Sequence, residues 1–127
     1  MKTPVHESDV PWQVWYQGTD REVRGKALSD TGGHAKVGFG LMELPPGSNT
    51  RPPHYHSHEE EHLMALSGTA NLHLGSTVHK LGPGSYVCFP AGQRVFHHLE
   101  NIGDQIFRYI MVGERIKEDT VVHEDNT

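Results

Sequence analysis

Residues 54–62 read His54-Tyr55-His56-Ser57-His58-Glu59-Glu60-Glu61-His62, with Arg51-Pro52-Pro53 leading into them. The nine residues hold four imidazoles and three carboxylates, a density of ligand atoms that calls for a purpose. Side chains alternate faces along an extended strand, so His54 and His56 project from one side, about 6.6 Å apart along the chain. Two imidazoles so placed can converge on one ion. A short turn through Ser57 to Glu60 lets Glu61 enter the next strand pointing back at the same point. A fourth donor must then come from far along the chain, and the pair His97-His98 is the evident supplier. The competing reading is a solvated histidine-rich loop or a pH-sensitive surface. The fixed frame of glycines and prolines around the cluster argues against it.

The chain has 127 residues, enough for one domain that buries about two-thirds of its unfolded surface. Fourteen glycines and eight prolines, against 21% charged residues, suit many short strands joined by tight turns, so the fold is expected to be all-β. Net charge is −5 with neutral histidines, and the basic residues form no run, which excludes nucleic acid and anionic membrane as expected partners. The single cysteine, Cys88, forbids an intrachain disulfide and fits a reducing compartment; it is read as a buried, inert thiol. The N-terminal residues lack an apolar leader and no stretch reaches 18 apolar residues, so a cytoplasmic location is expected.

Along the chain, residues 1–36 are expected to form an irregular arm, a short strand around Trp12–Tyr16 and a long polar connection with one helical turn over 18–33. Trp12 and Trp15, three apart, cannot share a face of a regular strand. Val37–Leu44 reads as a strand ended by Pro45-Pro46-Gly47, and its Gly38 and Gly40 share a face that something bulky approaches. Thr69–Leu74 and Thr77–Leu81 form a hairpin over Gly75-Ser76, which carries His73 and His79 as ordinary surface or cross-strand residues. Tyr86–Phe89 is expected as a buried strand stopped by Pro90. Residues 106–112 are apolar on both faces, as in an interior strand. A barrel core over 37–113 then leaves 114–127 as a charged tail.

The spacing of the framework residues resembles the two conserved motifs of the cupin superfamily, G(X)5HXH(X)3,4E(X)6G and G(X)5PXG(X)2H(X)3N. Gly47, His54, His56, Glu61 and Gly68 meet the first with one extra residue after Gly47. Gly84, Pro90, Gly92, His97 and Asn101 meet the second with two extra residues after Gly92. The resemblance implies a single-domain cupin, a jelly-roll or double-stranded β-helix barrel. It implies metal ligands His54, His56, Glu61 and His97, with Asn101 in the surrounding shell. His97 is preferred to His98 because it stands in register with Asn101, and Glu61 to Glu60 because of its distance from Gly68. His58 and His62 are left to the rim or outer face. A homodimer joined through the outer sheet and the N-terminal arm is also implied.

Three nitrogens and one oxygen leave open positions on an ion, as in a site that binds substrate or water. One divalent transition metal per chain is expected, and iron, manganese, nickel, zinc, cobalt and copper all suit the donors. The expected function is a metalloenzyme, dioxygenase-like or isomerase/lyase-like, acting on a small organic molecule inside the barrel. The alternative is a non-catalytic metal-dependent sensor. Glu60 and Tyr109 are candidate bases. Phe39, Met42, Phe89, Phe107 and Met111 are candidate walls, and Arg51 and Arg94 candidate carboxylate clamps.

Overall fold

Turn chemistry divides the chain into short segments, and each segment between turns becomes a strand. The computed structural model describes residues 3–33 and 35–125; the extreme ends of the expected arm and tail lie outside the described residues. The strands are β1 (Gln13–Trp15), β2 (Val23–Ala27), β3 (Val37–Leu44), β4 (His54–His56), β5 (Glu61–Ser67) and β6 (Ala70–Leu74), then β7 (Thr77–Leu81), β8 (Tyr86–Phe89), β9 (His97–Glu100), β10 (Phe107–Glu114) and β11 (Val121–His123). Among the described residues the only helical segments are short 3-10 turns at Glu7–Asp9 and Leu28–Gly32.

The strands form two antiparallel sheets, one in the order β1-β2-β3-β10-β5-β8 and the other β11-β4-β9-β6-β7. This is the all-β jelly-roll expected from the sequence. Period-2 alternation sets the register. Leu44, Met42 and Gly40 of β3 face Phe107, Tyr109 and Met111 of β10, and these last two face Ala65 and Leu63 of β5. Leu72 of β6 stands opposite Leu99 of β9 on the other sheet. Leu44, Leu63, Leu72, Phe107 and Tyr109 are almost wholly enclosed, and they form the centre of the hydrophobic core between the two sheets.

Gly68 shows why the glycine frame matters. Its φ is +74°, and a Cβ there would overlap the Ile106 carbonyl oxygen, so no other residue closes the corner between β5 and β6 without moving backbone. Asn101 is as constrained. Its Nδ2 donates to the carbonyls of Leu44 and Gln105 at 2.9 and 2.8 Å, and its Oδ1 accepts from the Gly103 N–H at 3.0 Å. It therefore pins a turn rather than surrounding the candidate metal site.

Three expectations about elements need correction. The connection over 18–33 contains β2 as well as the single helical turn; Gly25 at the centre of the strand supplies no apolar side chain, so the alternation that would announce it is missing from the sequence. Tyr86–Phe89 lies at the edge of its sheet, and Tyr86 is 60% exposed, so only Phe89 is buried. The segment expected as a tail returns to the barrel: Val121, Val122 and His123 pair with His56, Tyr55 and His54. The two tryptophans separate as their spacing requires. Trp15 packs over Gly25 on the inner side, while the Lys26 ammonium sits 4.5 Å from the Trp12 ring centre.

Candidate metal site

Strand alternation delivers the donors. β4 is three residues long, so its two ends, His54 and His56, share the inner face. His54 stands directly across from His97 of β9, and their rings lie 4.6 Å apart. Glu61 opens β5 opposite Phe89 and Gly113, both inward positions. Donor atoms of His54, His56 and Glu61 lie within 4.8 Å of one another. The closest pair, His56 Nε2 and Glu61 Oε1, is 3.1 Å apart. His97 stands just outside that compact triplet, 6% exposed, with its ring stacked on Phe89 at 3.9 Å.

The surroundings divide the imidazoles electrostatically. Burial lowers the His97 pKa to about 4, with the neighbouring His54 adding to the effect. Burial also lowers that of His54. Both rings are therefore neutral at pH 7, with lone pairs available to a cation. His56 behaves oppositely: its hydrogen bond to Glu61, followed by the one to Asp119, raises its pKa to about 9. Burial alone would raise Glu61, but its hydrogen bond to His56 and the positive charge of that ring outweigh burial and lower its pKa.

Asp119 is the residue that sequence reading missed. Its Oδ2 lies 2.8 Å from His56 Nδ1, and its Oδ1 accepts the backbone N–H groups of His58 and Glu59, each at 2.9 Å. The ring is thereby held with Nε2 turned toward Glu61. Those three hydrogen bonds outweigh the cost of burial and bring the Asp119 pKa down to about 2. The available signal was the β-branched run Thr120-Val121-Val122, which marks a strand that carries the aspartate alongside β4. His123 of the same strand also approaches, its ring 6.2 Å from that of His54.

Two hollows flank the donors. One, of about 260 Å³, is bordered by Glu61, Trp15, Met42 and Met111 over a floor of Gly25, Gly38, Gly40 and Gly113. The other, of about 210 Å³, is lined by His56, His97, Phe89 and Val95. The face shared by Gly38 and Gly40 is indeed approached, by the Arg115 side chain over Gly38 and the Met42 sulfur beside Gly40.

The remaining expected residues fall in several places. Met42, Met111 and Phe89 border the hollows as expected. Phe107 and Tyr109 are sealed in the core at 0% and 2% exposure, so Phe107 is packing rather than wall. Burial holds the Tyr109 phenol protonated, assisted by the charge of Glu61, which unsuits it as a base. Phe39 belongs to the outward-facing set of β3 and touches the larger hollow only at its rim. Glu60 turns outward to His62 Nε2 at 2.8 Å and does not face the triplet. Arg51 is engaged by Asp20 and Asn49, and Arg94 is exposed on the loop after Gly92. His98 faces away from the site, stacked on His73 at 4.3 Å.

Among the described residues no helix is long and apolar enough to cross a membrane. No curated protein matches the chain. Solved structures do. A sugar phosphate isomerase of the cupin superfamily from Silicibacter pomeroyi superposes with TM-score 0.86 at 24% identity, over 97% of this chain and 82% of its own. The polyketide cyclase RemF from Streptomyces resistomycificus gives 0.84 at 24%, over 100% and 88%. A predicted oxalate decarboxylase from Thermotoga maritima gives 0.76 at 25%, over 90% and 100%. The family model described as "Cupin domain" matches residues 40–113, more than half of the chain and the span that holds all four expected ligands, so the protein belongs to the cupin family.

Proposed function

We propose that this cupin is a metal-dependent enzyme acting on a small organic molecule, with His54, His56, Glu61 and His97 as the protein's ligands. The observation that carries the reading is the convergence of donor atoms of His54, His56 and Glu61, with the buried His97 ring 4.6 Å from that of His54 and Glu61 at the border of an apolar hollow. The donor set of three nitrogens and one oxygen suits iron, manganese, nickel, zinc, cobalt or copper. A divalent ion held there would supply Lewis acidity toward a carbonyl or enolate oxygen, or activation of dioxygen.

The chain's own residues provide the rest. Asp119 fixes the orientation of His56, and Trp15, Met42 and Met111 give one side of the site an apolar lining. The glycine floor makes the room. At about 260 Å³ the hollow is slightly smaller than the usual ligand pocket of about 300–1,000 Å³, so it favours a substrate of few atoms. The similar structures carry an isomerase, a cyclase and a predicted decarboxylase, reactions in which polarising an oxygen next to a reacting carbon is useful. That range favours an isomerase/lyase-like reaction over the dioxygenase-like one.

The test is to load metal-free protein with each of the six ions and incubate it with hydroxy acids, 1,3-diketones and flavonols. Product formation and oxygen uptake are recorded together. Turnover under one ion, lost in His56→Ala and reduced in Gly25→Val with metal content unchanged, is the expected result. A Cβ at Gly25 would lie 2.8 Å from the Met42 sulfur and 2.9 Å from Trp15 Cζ3, so valine narrows the hollow without touching a ligand. Saturable binding without turnover under every ion would instead establish the sensor reading.

The same reading includes a cytoplasmic homodimer joined through the N-terminal arm and the β3 side of the outer face of the six-stranded sheet, where Val37 and Phe39 leave an exposed apolar surface away from β8. Sedimentation at a monomer mass would remove the dimer from it, and recovery in a membrane or secreted fraction the location.

A further inference from the structure

The outer face of β5 and β8 holds a second group of ligand atoms that the reading above leaves unused. His62 and Cys88 are cross-strand partners, and Glu60 reaches them from the residue just before β5. Glu60 Oε2 lies 2.8 Å from His62 Nε2, and Cys88 Sγ lies 4.0 Å from the same nitrogen. All three donor atoms fall within 4.8 Å of one another. Tyr86, two residues before Cys88 on the same face, holds the other side of the imidazole with its hydroxyl 2.6 Å from His62 Nδ1.

We propose that Glu60, His62 and Cys88 form a second metal site, on the outside of the barrel, for a thiophilic divalent ion of the zinc type. One sulfur, one nitrogen and one oxygen are donors that zinc accepts, and three protein ligands leave a fourth tetrahedral position for water. Tetrahedral bonds of about 2.3 Å to sulfur and 2.0–2.1 Å to nitrogen put those two atoms about 3.5 Å apart. The present 4.0 Å is close to that, and a small outward swing of the half-exposed Glu60 opens its 2.8 Å contact. As the ion binds, the Cys88 S–H bond breaks and its proton passes to water while the sulfur–metal bond forms. His62 presents the Nε2 lone pair by carrying its ring proton on Nδ1, where the Tyr86 oxygen accepts it. A tyrosine hydroxyl can donate or accept, so it serves the ring in either tautomer.

A cysteine nucleophile is the reading this geometry disfavours. In such a pair the acid orients the imidazole from the nitrogen remote from the sulfur. Here Glu60 and Cys88 share the same nitrogen, which is how ligands gather around an ion.

Sulfur distinguishes this site from the inner one, whose donors are nitrogen and oxygen only, so the two can be tested apart. Metal-free protein is titrated with cobalt(II) while the near-ultraviolet thiolate-to-cobalt charge-transfer band is followed. The band is expected in the wild type and in His56→Ala, and lost in Cys88→Ser and His62→Ala. In parallel, zinc is expected to slow modification of Cys88 by a thiol reagent by about tenfold or more in wild type and His56→Ala. That protection should shrink in Glu60→Gln, a variant that keeps the shape of the side chain should His62→Ala fail to fold. Cobalt uptake without the band, a band that survives His62→Ala, or a modification rate indifferent to zinc would each overturn the proposal. Failure of the inner site would appear separately, as metal content unchanged by His56→Ala.

Discussion

Glu61 and His62 are neighbours in sequence and serve opposite sides of one sheet. Glu61 turns inward to meet His56 and Phe89, whereas His62 turns outward to meet Glu60, Tyr86 and Cys88. Inside, burial keeps two imidazoles neutral, and no sulfur stands among the expected ligands. Outside, the groups are half-exposed, and the cysteine adds a soft donor. A single alternation of the backbone therefore offers two ligand chemistries from one short segment. The difference teaches that the parity which puts a residue inside is reset at each turn: His54 and His56 face inward before it, and after it Glu61 faces inward while His62 faces out.

The strongest way to break this contrast is His56→Ala. Inner-site metal retained through gel filtration should be lost, while the far-ultraviolet circular dichroism of the barrel and the cobalt–thiolate band both remain. Simultaneous loss of both sites would mean that the two faces are not independent.

Asp119→Asn comes next. Removing the charge that orients His56 should weaken inner metal binding about 10–100-fold, or about 1.4–2.8 kcal/mol, as read by competition with a chelator. An unchanged affinity would show that the strand pairing alone positions the ring. Tyr86→Phe should produce a smaller, few-fold loss confined to zinc protection of Cys88, with inner metal content unaltered.

The smallest expected effect concerns the outer face elsewhere. Glu7 bonds the Lys26 ammonium at 2.7 Å, and that hydrogen bond lowers its carboxyl pKa below the ordinary value. A carboxylate whose pKa is depressed by folding stabilises the native state above its unfolded pKa. That contribution is lost as pH falls from about 4.5 through the folded value. Wild type should melt higher than Glu7→Gln at pH 7, and the gap should close on acidification; a constant gap would dissociate the pair from the titration.

The sequence carried the barrel and the inner donors because both depend on short-range regularities. His54, His56 and Glu61 are separated by one strand step and one turn, and the hairpin over Gly75 follows from its turn residues. The choice of His97 over His98 also agrees with the observed faces, since His97 pairs with His54 while His98 stacks on His73. What local pattern could not reveal were partners made by long closure. Asp119 meets His56 from 63 residues away, and its strand is only three residues long, too short for periodicity to announce it. Glu60 was misassigned for a different reason: spacing limits which carboxylate reaches the inner site but leaves the other free to turn outward. Arg51 is held by Asn49, two residues away, and by Asp20, a partner 31 residues back that becomes visible only once the chain folds.

The pairing of β11 with β4 bears on when, during synthesis, an ion can be gripped firmly. A growing polypeptide possesses every expected inner ligand before Asp119 has been added, so a half-made barrel would hold His56 without its orienting anchor. Full-strength capture of an ion there would then await the pairing of Val121–His123 with β4, which brings Asp119 to His56.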